Sequence, residues 1–234
     1  MIGSETEHTA TPHVRAKRER RRAEILRAAL HSFRERGYHA TTLDTIAEQL
    51  GVRKTALYHY FADKPAILLE CHRESIAELE RIVAEAARLR TARERLRHII
   101  VQHVRIMTEA YGASPLAFEV TALAPERQAE IIAGRDRYER ALRAVIESGM
   151  RSGTFVAGDA KIAAFMLLGA LNGIARWYRP GGALDAAAIG EQFARQLVDG
   201  LARPARVAVR TVRRGGAHRD SHAAARAAAS REVL

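Results

Sequence analysis

Thr41-Thr42-Leu43-Asp44-Thr45-Ile46-Ala47-Glu48-Gln49-Leu50-Gly51-Val52-Arg53-Lys54-Thr55-Ala56-Leu57-Tyr58-His59-Tyr60-Phe61 has the length and punctuation of a helix-turn-helix. Thr42 is placed to cap a first short helix from Leu43 to Leu50, Gly51 gives the backbone freedom for a tight turn, and a second short helix is predicted from Arg53 to about Tyr60. Ile46 and Ala47 face inward, Ala47 being small enough for close helix approach, and Val52 and Leu57 anchor the second helix on the first. That leaves Arg53, Lys54 and Thr55 at the amino end of the second helix. A helix of this kind fits the major groove of a duplex, where its first residues reach base edges while the preceding helix crosses the phosphates.

Upstream, Ile25, Ala28, Ala29, Ser32 and Phe33 mark one face of a helix that Gly37 can end in a left-handed cap. Downstream, Asp63 and Pro65 open a long helix to about Leu89, with Ile67, Leu68, Ile76, Leu79 and Ile82 on its buried side. It links a three-helix head to a second domain. Further helices are predicted over Arg93 to Tyr111, Pro115 to Leu123, Pro125 to about Arg151, Ala160 to Tyr178 and Ala186 to Leu201. Nine helices result, no stretch alternates with the period of a half-buried strand, and the chain reads as all-α. The expected organisation is a disordered arm over 1–14, a DNA-binding head over 15–64, an effector-binding and dimerisation domain over 65–202, and a disordered basic tail rich in Ala and Arg over 203–234.

With 234 residues, 47% of them apolar and 28% charged, the chain is long enough for a sizeable core, which excludes a wholly disordered chain and a disulfide miniprotein. The single cysteine, Cys71, can neither bridge within the chain nor build a multi-thiolate metal site, and it suits a reducing compartment. A polar amino end and the lack of any apolar run near 20 residues predict a cytoplasmic protein with no membrane partner. The net charge of +11 is concentrated at the ends: residues 1–22 carry +3 and residues 203–234 carry +6, while residues 65–202 carry only +1. Basic extensions such as Arg15, Lys17, Arg18, Arg20, Arg21 and Arg22 on a near-neutral body suit a polyanion, because each neutralised phosphate releases counterions. For the tail, simple solubilisation is an equal reading.

Over residues 20 to 68 the sequence resembles the TetR/AcrR family of transcriptional regulators. The resemblance is carried by Ile25-Leu26 with Ala28-Ala29, Phe33, Gly37-Tyr38, the Thr41-Thr42 start, Ile46-Ala47, Gly51-Val52, the run Leu57 to Phe61, and Lys64. It implies a homodimeric all-helical repressor that binds a near-palindromic double-stranded DNA operator and is released by a small-molecule effector. Carried over by position, Thr42 and Lys64 would hold phosphates, Arg53, Lys54 and Thr55 would lie at base edges, and Tyr58 and His59 would contact the backbone. Phe61 and Tyr60 read as core. The sequence departs from the family pattern at Leu50, at Arg53, where a small capping hydroxyl is common, and at Pro65.

In the second domain, Gly169 and Gly173 are four apart between Phe165 and Tyr178, so a partner helix can approach that face closely. The last two helices are predicted to form a four-helix bundle with their symmetry mates through Phe165, Leu168, Gly169, Gly173, Phe193 and Leu197. The stretch from Asn172 to Gly182 resembles one in a TetR subgroup that senses acyl-coenzyme A thioesters. An acyl chain needs an apolar channel, with Ile100, Val104, Met107, Phe118, Tyr138, Leu142, Ile146 and Trp177 as candidate lining, and a nucleotide phosphate suits Arg176 or Arg179. For any one of the apolar residues ordinary helix core is the commoner reading, and surface or dimer salt bridges are an equal reading for Arg176 and Arg179. A multidrug-type regulator responding to hydrophobic cations and a non-specific basic DNA-binding protein are the alternatives. No cofactor and no catalysis are expected: His98 and His103 are five apart, wrong for one helix face, and no metalloprotease, phosphate-loop or nucleophile-elbow pattern occurs.

Overall fold

The computed structural model describes residues 12–110 and 115–202, with side chains described outside 109–118. It contains eight α-helices: α1 (Pro12–Arg36), α2 (Leu43–Gln49), α3 (Lys54–Tyr58), α4 (Lys64–Ala86), α5 (Ala92–Arg105), α6 (Pro125–Arg151), α7 (Ala160–Trp177) and α8 (Ala186–Leu201). The predicted helix Pro115 to Leu123 is 3₁₀-helical over Pro115–Ala122, and the predicted helix to Tyr111 leaves α geometry early, at a π turn over Ile106–Ala110. Residues 12–14, assigned to a disordered arm, are the first turn of α1. The rest of that arm, and the tail from 203, lie outside the described residues.

The helix ends follow local chemistry. Asp63 accepts a hydrogen bond from the Ala66 amide at 2.7 Å at the start of α4, and Asp159 and Asp185 cap α7 and α8 in the same way. At α5, Thr91 and Glu94 form a reciprocal capping box. Gly51 turns the chain at φ +64, where a Cβ would be strained, so α2 and α3 meet across a single tight corner.

Two buried clusters organise the fold. The head cluster gathers Ile25, Leu26, Ala29, Phe33, Ile46, Leu57 and Phe61. The body cluster gathers Ile82, Leu96, Ile99, Leu167, Leu171 and Val198 among others. α4 belongs to both, giving Ile67, Leu68 and Cys71 to the head and Leu79, Ile82 and Ala86 to the body. The expected link is therefore present, but it is not the sole one. Leu123 and Ile131, from the start of the α6 region, are buried in the head cluster. Close approach of α4 and α6 depends on Gly134, where a Cβ would stand 2.7 Å from Ile76. Arg73 grips Glu130 through two hydrogen bonds of 2.6 and 2.8 Å across the same seam.

Candidate nucleic-acid interface

The head presents one polar edge. Leu57 is buried to 1% exposure and pins α3 with Ile46 and Ala47 beneath it, while Tyr58 on the opposite side is 51% exposed. Arg53, Thr55 and His59 are likewise exposed, and Thr42 is exposed at the start of α2. The predicted helix from Arg53 to Tyr60 contracts to Lys54–Tyr58, with Arg53 as the cap residue and no side-chain capping bond. An arginine has no acceptor to offer the free amides, so its guanidinium stays available to solvent. Phe61 is buried and Tyr60 half-buried against the head core, as their reading as core requires.

Two basic residues and one threonine are less free than the sequence suggests. Lys54 Nζ lies 2.9 Å from Asp44 Oδ2, tying the start of α3 to α2, and this hydrogen bond raises its pKa. Both partners are well exposed, so the pair is weakly held and open to exchange for a base or phosphate acceptor. Lys64 is more deeply committed. Its ammonium donates to the carbonyls of Tyr38 and Thr41 at 2.8 Å and of His39 at 3.3 Å, and it sits 4.3 Å above the Tyr38 ring. Its three protons are thus spent inside the head, and burial lowers its pKa. These bonds make Lys64 a cationic brace behind the turn that carries Thr42. Thr42 itself accepts from the Thr45 amide at 3.1 Å and pairs with the Thr45 hydroxyl at 2.9 Å.

The basic helix before the head divides by role. Arg22 binds Glu70 at 2.9 Å and covers the Phe61 ring at 4.7 Å, and Arg21 binds Glu24, so these two serve structure. Arg15, Lys17, Arg18 and Arg20 stand exposed along the first turns of α1.

In the body, the effector candidates separate into two groups. Ile100, Val104, Tyr138, Leu142 and Ile146 are buried together in one cluster, with Met107 half-buried against it. Arg176, Trp177 and Arg179 are instead exposed at the end of α7, where Trp177 meets Phe193 at 6.3 Å between ring centroids. Arg176 and Trp177 on the last turn of α7, and Arg179 just beyond it, point outward and do not join the buried group. The Phe118 side chain lies outside the described residues. Of the dimer candidates, Phe165 is 51% exposed beside exposed Ile162 and Met166, while Leu168, Phe193 and Leu197 pack partly on the body core. A Cβ at Gly169 or Gly173 would meet nothing within 4 Å, leaving that face of α7 open.

Sequence reasoning misses His103. Spacing compares it only with His98, yet its true partner is Tyr138 on another helix, with Nδ1 2.9 Å from the tyrosine hydroxyl in the buried core. The separation of 35 residues carries no sequence signal. Burial lowers the His103 pKa to about 4 and raises that of Tyr138, so both are neutral. His72, also buried, is lowered to about 4 by burial and by nearby Arg135. Among the described residues no group of three metal-binding side chains converges, and no helix is long and apolar enough to cross a membrane.

The sequence matches two family models: bacterial regulatory proteins of the tetR family over residues 25–71, and the tetracyclin repressor-like C-terminal domain over residues 89–201. The HTH-type transcriptional repressor KstR2 of Rhodococcus jostii (strain RHA1) is 28% identical over 198 residues, covering 79% of this chain and 92% of the relative. The fatty acid metabolism regulator protein of Bacillus subtilis (strain 168) is 25% identical over 182 residues, covering 76% of this chain and 94% of the relative. The solved structure of the TetR family transcriptional regulator PfmR from Thermus thermophilus superposes with a TM-score of 0.69 at 32% identity, covering 76% of this chain and 99% of that one.

Proposed function

The chain belongs to the TetR family of DNA-binding transcriptional regulators, not to an enzyme family, and from that premise we propose that it represses transcription as a homodimer on a near-palindromic operator until an acyl-coenzyme A thioester releases it. The observation that carries the DNA reading is the exposure of Arg53, Thr55, Tyr58 and His59 on and beside a short helix whose inner face is anchored by buried Leu57. Arg53, Lys54 and Thr55 read base edges, Lys54 leaving Asp44 to do so. Thr42, Tyr58 and His59 fix register on phosphates, and Lys64 holds the turn beneath Thr42 in place.

Support for the homodimer comes from the stripe Ile162, Phe165, Met166, Gly169, Gly173 and Trp177, whose spacing keeps it on one side of α7 and whose apolar members are exposed. Two heads would then stand roughly 34 to 36 Å apart, one turn of duplex. The acyl-thioester reading draws on the buried cluster of Ile100, Val104, Leu142 and Ile146, and on a relative named for fatty acid metabolism. A hydrophobic cation fits less well, because His103, Tyr138 and Thr108 are neutral and the buried Glu139 Oε1 already faces Arg143 at 3.6 Å.

Release follows from the shared seam. An effector that moves α6 also moves Leu123 and Ile131 within the head core, and α4 turns with them. The ligand weakens DNA binding only as far as it prefers the released arrangement, so a tenfold effect requires about 1.4 kcal/mol of preference. The test is selection of bound duplexes from a random pool, followed by titration of the selected duplex with and without acyl-coenzyme A thioesters of graded length. A half-site repeat spaced by one helical turn and release by at least one thioester are expected. Selection of no sequence, or undiminished binding at saturating thioester, removes the corresponding half of the proposal.

A further inference from the structure

At the centre of the body, three helices bring polar side chains to one spot in an apolar core: His103 from α5, Tyr138 from α6 and Asn172 from α7. Ile100, Val104, Leu142 and Ile146, all fully buried, belong to the same cluster. His103 is 1% exposed and its Nδ1 lies 2.9 Å from the Tyr138 hydroxyl. A neutral imidazole has one donor and one acceptor nitrogen. The phenol proton needs an acceptor, and Nδ1 supplies it, which places the ring hydrogen on Nε2. Nε2 is buried and makes no hydrogen bond, although the Asn172 side chain is close enough to favour the protonated ring. A buried donor left without an acceptor demands a reason.

Asn172 carries an amide oxygen that approaches this nitrogen without reaching hydrogen-bonding geometry. Thr108, the nearest hydroxyl along the chain, is turned back on the Val104 carbonyl at 2.9 Å. Directly after His103 and Val104, the helix gives up α geometry for the π turn Ile106–Ala110, a distortion often found where a helix meets a ligand.

We propose that the Nε2 hydrogen of His103 is the donor that receives the carbonyl oxygen of the effector, with Tyr138 as the positioning residue that fixes the tautomer. This rests on the acyl-thioester reading above and adds its polar determinant: the effector is recognised by an acceptor oxygen set at the head of an apolar chain. The acyl chain lies among Ile100, Val104, Leu142 and Ile146, and the carbonyl meets the imidazole. A ligand with the same chain but no acceptor leaves Nε2 unsatisfied and binds more weakly.

Calorimetric titration of the full chain with three probes tests this: octanoyl-coenzyme A, its thioether S-octyl-coenzyme A, which lacks the carbonyl oxygen, and octan-2-one, which lacks the nucleotide. The protein should prefer the thioester to the thioether by about tenfold or more, and His103→Phe should bring that ratio close to one with little change in thioether affinity. Tyr138→Phe, which deletes a single oxygen and keeps the ring, should narrow the ratio in the same direction and carries the test should His103→Phe not fold. Equal binding of thioester and thioether by the unmodified protein, or an unchanged ratio in the folded variants, overturns the assignment. Binding of octan-2-one alone, lost in His103→Phe, would keep the donor and discard coenzyme A. Failure of all three probes to bind would overturn both readings.

Discussion

In the head, Arg53, Thr55, Tyr58 and His59 stand in solvent over a core closed by Leu57 and Phe61; in the body, His103 and Tyr138 are sunk among Ile100, Leu142 and Ile146 and bonded to each other. The head's own histidines, His31, His39 and His59, are all exposed. The difference teaches how the two regions meet their partners. Under the proposed function a duplex would come to the head as a surface, so readers have to be exposed and loosely held, and Lys54 is held only by an exposed pair with Asp44. Under the same proposal a small ligand would be enclosed by the body, where polar determinants have to be few, neutral and pre-oriented.

Acid should break this contrast first. His72 and His103 have folded pKa values of about 4 against about 6.5 unfolded, so the unfolded chain binds more protons between those limits. The stability they contribute is present above pH 6.5 and is lost as pH falls toward 4. Between pH 7 and pH 5 the two together should cost about 4 kcal/mol, measurable by urea unfolding, and His72→Leu should flatten the profile. A profile unchanged by removing either ring would show that neither histidine is buried neutral.

Next in size is Ile131→Ala, which opens a hole in the head core from the body side and should destabilise by about 3 kcal/mol. Fluorescence of Trp177, the only tryptophan and a body residue, should lose its signal at the same denaturant concentration as the helical circular dichroism. Separate midpoints would mean that the seam does not couple head and body.

Gly51→Ala places a Cβ at φ +64 and should cost about 1 kcal/mol, with a larger fractional loss of operator affinity because α3 is re-aimed. The smallest effect on stability and the most informative for the head comes from lysine exchange. Lys54→Ala should leave the unfolding midpoint nearly unchanged while relaxing preference at one base position by on the order of tenfold. Lys64→Ala should lower both the unfolding midpoint and binding to every duplex, since it removes the brace on Tyr38, His39 and Thr41. Similar behaviour of the two variants would erase the distinction between reader and brace.

The residues from Thr41 to Phe61 suffice to read the head, because a helix-turn-helix is assembled from neighbours. A cap at Thr42, a corner at Gly51 and an anchor at Leu57 lie close along the chain, and local spacing encodes them. The body is legible only as a set of helices. Even there, Pro115–Ala122 and the end of α5 depart from regular α geometry, since nothing in their spacing distinguishes α from 3₁₀ or π turns.

By itself, then, the sequence determined the all-helical class, the reading head and the apolar faces, all properties of residues a few positions apart. Tertiary structure alone decided that Lys64 turns inward onto Tyr38 and Thr41, that Ile131 completes the core of a domain it does not belong to, and that His103 finds Tyr138. These are pairings between distant segments whose partners become adjacent only when helices pack, and burial then sets the charge states that no local pattern records.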